Sequence, residues 1–581
     1  MAVQLPFIFA ERMERLLGEE FESFMKSYDQ SPHAGLRVNT LKISIEQFKE
    51  IVPFELRPIP WCETGFYVPH GVKPGLHPYY HAGMYYIQEP SAMAPVEKLQ
   101  VQPGDRVLDL CAAPGGKSTQ IAAKLQGKGV LVTNDIHAER TKALAKNVEL
   151  YGVRNAVVLN ESPERIADAF PNYFDKILID APCSGEGMFR KDEDMVKSWE
   201  HHSVDKCVIM QRDILETAAR LLAPGGTIVY STCTFAPEEN EAMIAEFLRK
   251  NGDFAVVNID HTSGFAPGRP EWVRQMSPVQ AAETEGVLEQ TSGTARLWPH
   301  LLEGEGHYVA VLKHVEAYEG DEVSSDKWID EFNRELDKEQ KELDEERQDE
   351  GRIAGESSLI QDLSEDRSFL RSASIPMTKA DRKKERLLRL ESRKSSESGT
   401  RASKHENKSG KKGKEAGGRK SERGQGRGAN TVSNDPLMVY HQFIKDNLEM
   451  TLEGETVCYG DRIYQSAVGA SRLKGLKVIR PGWFMGTMKN GRFVPSHPLA
   501  CALRASEVQR SVNLSSVDGE AVRYLKGETL NVMQERIAHQ EGSIPKGYVL
   551  VCVDGYAAGW GKWLDGVLKN EYPAGWRWTS V

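Results

Sequence analysis

The sequence predicts an α/β fold built on a doubly wound, mostly parallel sheet, and three observations carry that expectation. Short β-branched runs alternate with helical patterns several turns long from Val101 to Leu312. Several of those runs end in Asp, Asn or Cys, where the carboxyl ends of parallel strands open onto a ligand crevice. After Lys313 the apolar content collapses, which marks the end of the unit.

The elements follow in order. Leu5, Phe7, Ile8, Met13, Leu16, Leu17 and Phe21 recur at roughly helical spacing, so residues 1–30 predict one or two amphipathic helices. GLRVNTLKIS predicts a short strand carrying Arg37 and Asn39. Pro58 to Tyr86, rich in Pro, Gly and aromatics, predicts loops and short strands. DRVLDL, GVLVTND, AVVLN, DKILIDAP, GGTIVYST and HYVAVLK then read as strands. STQIAAKL, ERTKALAKNVELYG, VDKCVIMQRDILETAARLL and ENEAMIAEFLRKN read as the crossover helices, each expected to be right-handed.

Composition narrows the class. The chain has 581 residues, 40% hydrophobic and 27% charged, with 74 basic against 84 acidic residues for a net charge of −10. That balance excludes a polybasic particle but not a local basic patch. Eight cysteines without framework spacing fit a reducing compartment. No apolar run reaches the ~18 residues of a membrane span, and the N-terminus lacks a signal-peptide pattern. A cytoplasmic protein without membrane attachment is expected. Residues 316–366 hold 20 acids and 6 bases, and residues 371–430 hold 19 bases and 7 acids. The second stretch cannot form a core and is expected to be disordered; the first holds a helix candidate around WIDEFNRELDKEQKEL. Renewed strand and turn patterning after Asp435, in DRIYQS, LKVIRPG and YVLVCVDGYAAGWGKW, predicts a folded C-terminal part separate from the catalytic one.

The strongest local signal is VLDLCAAPGGKSTQIAAKL, residues 107–125. A strand ends at Asp109, small residues let the backbone approach a ligand, and a helix opens at Lys117. It is neither GxGxxG nor a P-loop, because the first glycine lies too close to Lys117. Asp135 ends the next strand, 26 residues on, and can accept both hydroxyls of a ribose; the plainer reading is a helix cap. Asn160 and Ser162 follow the third strand and are candidates for the adenine edge. An adenosine ligand carrying ammonium and carboxylate groups suits this set better than NAD, which makes S-adenosylmethionine the economical cofactor.

The fourth strand ends in DAPCSGEG, with Asp180 and Cys183, and the next in STCTF, with Cys233. Asp109, Asp135, Asp180, Cys183 and Cys233 can therefore surround one site. Two cysteines beside a methyl donor suggest covalent activation of a carbon: a thiolate adding at C6 of cytosine makes C5 nucleophilic. Asp180 could stabilise the charge that appears, or donate to N3 if its pKa were raised. Zinc needs four close ligands where only two thiols converge, so no metal is expected. A regulatory disulfide is disfavoured in a reducing cell, and Cys207, inside a helix, reads as an inert packed thiol.

DLCAAPGGKS, DAPCSGEG and STCTFAPEENE resemble the signature motifs of the Nop/Sun RNA cytosine-C5 methyltransferases. LRVNTLK, YYIQEPSAM, QRDIL and GEGHYVAVLK also fit, so the resemblance covers residues 1–315. The C-terminal part resembles the RsmF subgroup, which acts on small-subunit ribosomal RNA. The resemblance implies a Rossmann-like class I methyltransferase and the following organisation. Residues 1–95 would be an N-terminal RNA-binding domain, 96–315 the methyltransferase, 316–430 a charged linker, 431–515 a first C-terminal domain and 516–581 a PUA-like RNA-binding domain. It implies that Cys111, Ala112, Ala113, Pro114, Gly115, Gly116 and Lys117 wrap the methionine end of S-adenosylmethionine. Asp135 would bind its ribose, and Asp180 would approach both donor and base. Cys233 would be the attacking thiol and Cys183 would assist product release. The sequence departs from the subgroup at NESPER, where relatives carry an Asp near the adenine; Ser162 is the candidate replacement.

The expected substrate is ribosomal RNA or the small ribosomal subunit, bound by a monomer. Rival readings keep the chemistry on tRNA or 23S rRNA, or make the chain a non-catalytic assembly factor. An amino-group methyltransferase would need an Asp/Asn-Pro-Pro-aromatic motif where Asp180-Ala-Pro-Cys183 stands. Dense aromatics near the end (Tyr556, Trp560, Trp563, Tyr572, Trp576, Trp578) are expected mainly to fill a small barrel. Because the motifs all precede Lys313, a fragment of residues 1–315 is expected to hold the donor unaided.

Overall fold

The computed structural model describes residues 5–201, 204–315, 436–541 and 543–579. The predicted linker over 316–430 and the helix near Trp328 lie outside the described residues.

In the N-terminal part, helices Phe7–Leu17 and Phe21–Ser27 precede a four-stranded sheet. Its strands are β1 (Gly35–Val38), β2 (Arg57–Ile59), β3 (Cys62–Tyr67) and β4 (Tyr85–Ile87), in the order β2-β3-β1-β4. Phe9, Met13 and Phe24 of the two helices do not face this sheet. They pack on Phe189, Phe235 and Trp298, which lie in loops, and on Trp272 of helix Pro270–Met276.

The central sheet contains β5 (Arg106–Asp109), β6 (Val130–Asn134), β7 (Ala156–Leu159), β8 (Phe174–Asp180) and β9 (Leu222–Thr232). These five run parallel in the order β9-β8-β5-β6-β7. Four further strands, β10 (Phe254–Val257), β11 (Ala266–Pro267), β12 (Ala295–Leu297) and β13 (His307–His314), extend the β9 side with antiparallel pairing. The sheet is buried on both faces, so its strands read as near-continuous apolar runs. Their side chains still alternate. Val107, Leu131, Val158, Leu178 and Val229 point to helices Gly116–Leu125 and Ala138–Leu150. Leu108, Val132, Val157, Ile177 and Ile228 point to helices Pro163–Ala169, Val204–Leu221 and Glu241–Lys250.

The C-terminal part departs from the sequence reading. β14 (Glu455–Tyr459) and β15 (Arg462–Ser466) pair with strands Trp483–Lys489 and Arg492–Pro495 in a sheet of their own. LKVIRPG, read as one more strand of that separate part, instead forms β16 (Val478–Arg480). It pairs antiparallel with β7 and becomes the last strand of the central sheet. The physical reason is an open edge: β7 is the last parallel strand, and a covered edge leaves fewer unpaired backbone groups. Val468 and Leu473 join the core beneath it.

The last sheet has six strands, and Arg510–Leu514 is one of them, parallel to Gly547–Val553. The expected boundary at 515/516 therefore falls just after a strand that this sheet contains. Trp560, Trp563 and Tyr572 are buried, as the barrel-filling reading expects. The sheet shares one apolar cluster with the N-terminal domain, in which Leu36, Phe48, Phe66 and Tyr85 meet Val512, Leu514, Tyr524 and Trp563. The N-terminal sheet and the last sheet thus form a common core.

Candidate active site

The parallel strands end side by side at Asp109, Asn134, Leu159, Asp180 and Thr232, and the loops that follow hold most of the predicted site residues. The loop from Cys111 to Gly116 turns sharply. The Ala112 N–H donates to the Asn134 carbonyl at 2.8 Å, and Gly115 N–H to the Ala112 carbonyl at 2.8 Å. Gly115 has φ of 109°, a left-handed backbone that favours glycine. A Cβ there would lie 3.1 Å from Leu144, and one on Gly116 3.1 Å from Tyr86. Gly115 is thus favoured by the turn, and a side chain at either glycine would crowd a neighbour, apart from any approach by a ligand. Arg140 and Asn147 donate to the Ala113 and Pro114 carbonyls at 2.6 and 2.8 Å, which fixes the loop from the neighbouring helix. Burial pushes the Cys111 thiol up, away from ionisation.

Asp109 is fully buried. One oxygen accepts from Ser118 Oγ at 2.6 Å and the other has no partner among the described residues. Burial, with Asp180 nearby, raises this carboxyl to about 7. Asp135 accepts from the His137 N–H at 2.8 Å and the Ala113 N–H at 3.3 Å. It therefore ties the turn before helix Ala138–Leu150, whose N-cap is His137 and which has no side-chain cap bond, to the glycine-rich loop.

Asn160 Nδ2 donates to the Asp135 and Ile136 carbonyls at 2.7 and 2.9 Å, while its buried Oδ1 has no partner among the described residues. Ser162 precedes helix Pro163–Ala169, and its hydroxyl makes no cap bond. The residue between them, Glu161, is the one with a directed carboxylate. It accepts from the Ser162 N–H at 3.1 Å and the Lys477 N–H at 3.0 Å.

At the other end of the site, Cys183 Sγ and Cys233 Sγ lie 3.3 Å apart, and the Cys233 N–H donates to Cys183 Sγ at 3.3 Å. The bond to Cys233, and burial, hold the Cys183 thiol well above the ordinary range. Lys117 Nζ lies 2.7 Å from Asp180 Oδ2, and Ser231 Oγ donates to Asp180 Oδ1 at 3.0 Å. Burial would push Asp180 up, but Lys117 and Ser231 outweigh it and hold the carboxyl below its ordinary value. The Lys117 ammonium thus favours the ionised form of Asp180, which weighs against a protonated Asp180 donating to N3. Burial likewise pulls the Lys117 ammonium down, and Asp180 more than compensates.

Several supporting residues escaped the sequence reading. Glu186, fully buried, accepts from Arg12, from Trp199 Nε1 at 3.1 Å and from the Phe235 N–H at 3.2 Å. Glu239 accepts from the Ser184 N–H at 3.0 Å and Gln211 at 2.8 Å, and burial raises it to about 7. Ser184 Oγ and Thr234 Oγ1 meet at 2.7 Å. Together these bonds clasp the two cysteine loops. The only signal for them was the acids inside SGEG and PEENE. His307 starts β13 where its neighbour Tyr308 pairs with Thr232, one residue before Cys233. Its Nδ1 is buried without a partner among the described residues, and burial lowers the imidazole to about 4.

Arg37 and Asn39 of LRVNTLK, and Gln88 and Glu89 of YYIQEPSAM, dock the N-terminal domain. Arg37 donates to Thr119 Oγ1 at 2.7 Å and to Gln88, and Asn39 to the Tyr151 carbonyl at 2.8 Å. Glu89 accepts from the Ser91 and Glu305 N–H groups, each at 2.8 Å.

Among the described residues no helix is long and apolar enough to cross a membrane. No group of three or more His, Cys, Asp or Glu among them could hold a metal ion.

Comparison with known proteins agrees along the chain. The family described as 16S rRNA methyltransferase RsmB/F matches residues 96–313. The N-terminal domain of 16S rRNA methyltransferase RsmF matches residues 5–90, the RsmF first C-terminal domain 442–503 and the RsmF PUA domain 512–578. Ribosomal RNA small subunit methyltransferase F of Vibrio campbellii is 38% identical over 331 residues, covering 55% of this chain and 66% of that protein. The proteins of the same name from Erwinia tasmaniensis and Aeromonas salmonicida are each 37% identical, with 64% and 60% of their lengths covered. These alignments thus span somewhat less than two thirds of each relative. A solved methyltransferase homolog protein from Pyrococcus horikoshii is 29% identical, with 54% of this chain and 96% of that one covered at a TM-score of 0.46. The ordered matches, on a Rossmann-like sheet with these strand-end motifs, make the chain a member of the RsmB/F family of 16S rRNA methyltransferases, with N-terminal, first C-terminal and PUA domains of the RsmF type.

Proposed function

We propose that the protein methylates C5 of a cytosine in 16S ribosomal RNA, in the cytoplasm, with S-adenosylmethionine as donor. The observation that carries the chemistry is the pair of thiols 3.3 Å apart beside the Lys117–Asp180 ion pair. The donor set fits the cofactor. The unpartnered oxygen of buried Asp109 suits an ammonium group, Asp135 suits a ribose, and residues 111–117 form a loop with no bulky side chain before Lys117. When bound, S-adenosylmethionine supplies an electrophilic methyl group.

The chain's own residues prepare the base. Cys233 adds through sulfur to C6, which breaks the ring conjugation and makes C5 enamine-like. The negative charge that develops on the base is met by the Lys117 ammonium, which Asp180 holds in place. Cys183, whose Sγ lies 3.3 Å from that of Cys233 and accepts the Cys233 N–H, is the second thiol of the pair. It assists the final elimination, in which C5 loses its proton, the C6–S bond breaks and Cys233 leaves.

The N-terminal domain and the C-terminal modules bind RNA around this site, and an unpaired target base costs least to extract. The names of the curated relatives favour small-subunit RNA over tRNA or 23S rRNA. Bisulfite sequencing of total RNA from a deletion strain tests the substrate. One methylcytosine should disappear from 16S rRNA, whereas loss confined to tRNA or 23S rRNA would refute the assignment. Loss from none would favour the assembly-factor alternative.

A further inference from the structure

Strand β16, although it lies more than 160 residues after the catalytic motifs, is tied by its backbone to the donor end of the site. The tie begins where β7 ends. The Asn160 N–H donates to the Lys477 carbonyl at 3.0 Å, and the Lys477 N–H returns a bond to the Glu161 carboxylate at 3.0 Å. Glu161 is 9% exposed, and its other oxygen takes the Ser162 N–H. A carboxylate accepting two backbone N–H groups is a firm anchor, because such bonds are charge-assisted.

The tie continues inward. Asn134 Nδ2 donates to the Glu161 carbonyl at 3.1 Å and to the Leu110 carbonyl at 3.2 Å, and its Oδ1 accepts the Glu161 N–H at 2.9 Å. Asn160 Nδ2 holds the Asp135 and Ile136 carbonyls. The ends of β5, β6, β7 and β16 are thus cross-bonded in one lattice. Arg165 on the following helix bonds the Gly475 carbonyl, and Arg472 bonds the Ala169 carbonyl at 3.2 Å with its guanidinium over Tyr173. Residues 472–480 form a strap across the edge of the sheet.

We propose that Glu161 is a positioning residue for the adenosine end of the donor, and that Lys477 of the first C-terminal domain holds it in place through backbone bonds. The inference rests on the donor reading above. It implies that the C-terminal domain completes the donor site as well as reading RNA, and that residues 1–315 alone lack part of that site.

The test uses the full-length chain, with donor-site affinity measured calorimetrically using S-adenosylhomocysteine and with steady-state constants for donor and RNA. Glu161→Ala removes the acceptor of the Lys477 N–H, and Lys477→Pro removes that N–H. Each should weaken S-adenosylhomocysteine and raise the donor KM about tenfold while kcat and the RNA KM stay within about twofold. Glu161→Gln, which keeps an acceptor oxygen, should recover most of the affinity. Glu161→Ala with donor KM within twofold of wild type would overturn the proposal, as would equal losses in kcat and RNA KM. Asp135→Ala separates the two readings. It should abolish binding if the donor lies here, and unaltered binding in that variant would refute the donor reading itself.

Discussion

Lys117 Nζ and Asp180 Oδ2 lie 2.7 Å apart, and this ion pair joins the glycine-rich loop after β5 to the cysteine loop after β8. The pair places a cation between the expected donor loop and the two thiols, where charge must develop on a target base. Its partners come from different motifs, so its formation couples the two loops.

Replacing Asp180 by Asn should leave the Lys117 ammonium, 10% exposed, without its counter-ion. A fully buried pair broken this way costs ~3–5 kcal/mol. Asp180 is one-third exposed, so about 1–3 kcal/mol is expected here. Methyl transfer should fall by two orders of magnitude or more. Because the folded-state pKa of Asp180 is depressed, its contribution is present above the ordinary carboxylate range and lost as pH falls through the lower folded value. Thermal melts of wild type and Asp180→Asn should therefore converge only below about pH 4.

The two cysteines should differ in what their removal leaves behind. Cys233→Ala should abolish methylation and form no covalent complex with RNA. Cys183→Ala should still permit attack and transfer but slow elimination, so that a protein–RNA adduct accumulates as a shifted band on a denaturing gel. Adduct trapped by Cys233→Ala, or blocked by Cys183→Ala alone, would reverse the two roles.

Asp109 is raised to about 7 by burial. A folded-state pKa above the unfolded one contributes stability that is complete below the unfolded value and is lost as pH rises through the folded value. Without ligand, the stability of wild type relative to Asp109→Asn should decline as pH rises from about 4 to about 7. The integrated difference should be on the order of a few kcal/mol. A pH-independent difference in melting temperature would show that Asp109 is already ionised in the free protein.

Arg12 should stabilise the catalytic loop from a distance in sequence. Its guanidinium bonds Glu186, which lies three residues after Cys183 and is fully buried. Arg12→Ala should cost roughly 3–5 kcal/mol, since it leaves a buried carboxylate without its cation. Arg12→Lys should restore part of the stability and less of the activity, because Lys keeps the charge without the planar fork. Chemical denaturation and kcat measured side by side would check both.

Much of the fold and the chemistry is legible from residues alone, because those features depend on local pattern. Alternating β-branched runs dictate strands, and the order of strands and crossover helices dictates a doubly wound sheet. Motifs at successive strand ends must converge on the carboxyl edge, so the grouping of Asp135, Asp180, Cys183 and Cys233 is legible in the sequence. What sequence could not decide are relationships set by long-range packing. Lys117 and Asp180 belong to different motifs, and only packing brings them to 2.7 Å. The bonds of the Asn160 amide nitrogen to the Asp135 and Ile136 carbonyls likewise depend on how two strand ends pack. LKVIRPG has the pattern of a strand whichever sheet it joins, and only the open edge of β7 assigned it to the catalytic sheet. Local propensity specifies an element; its partner is chosen by which edge, charge or apolar face the rest of the fold leaves unsatisfied.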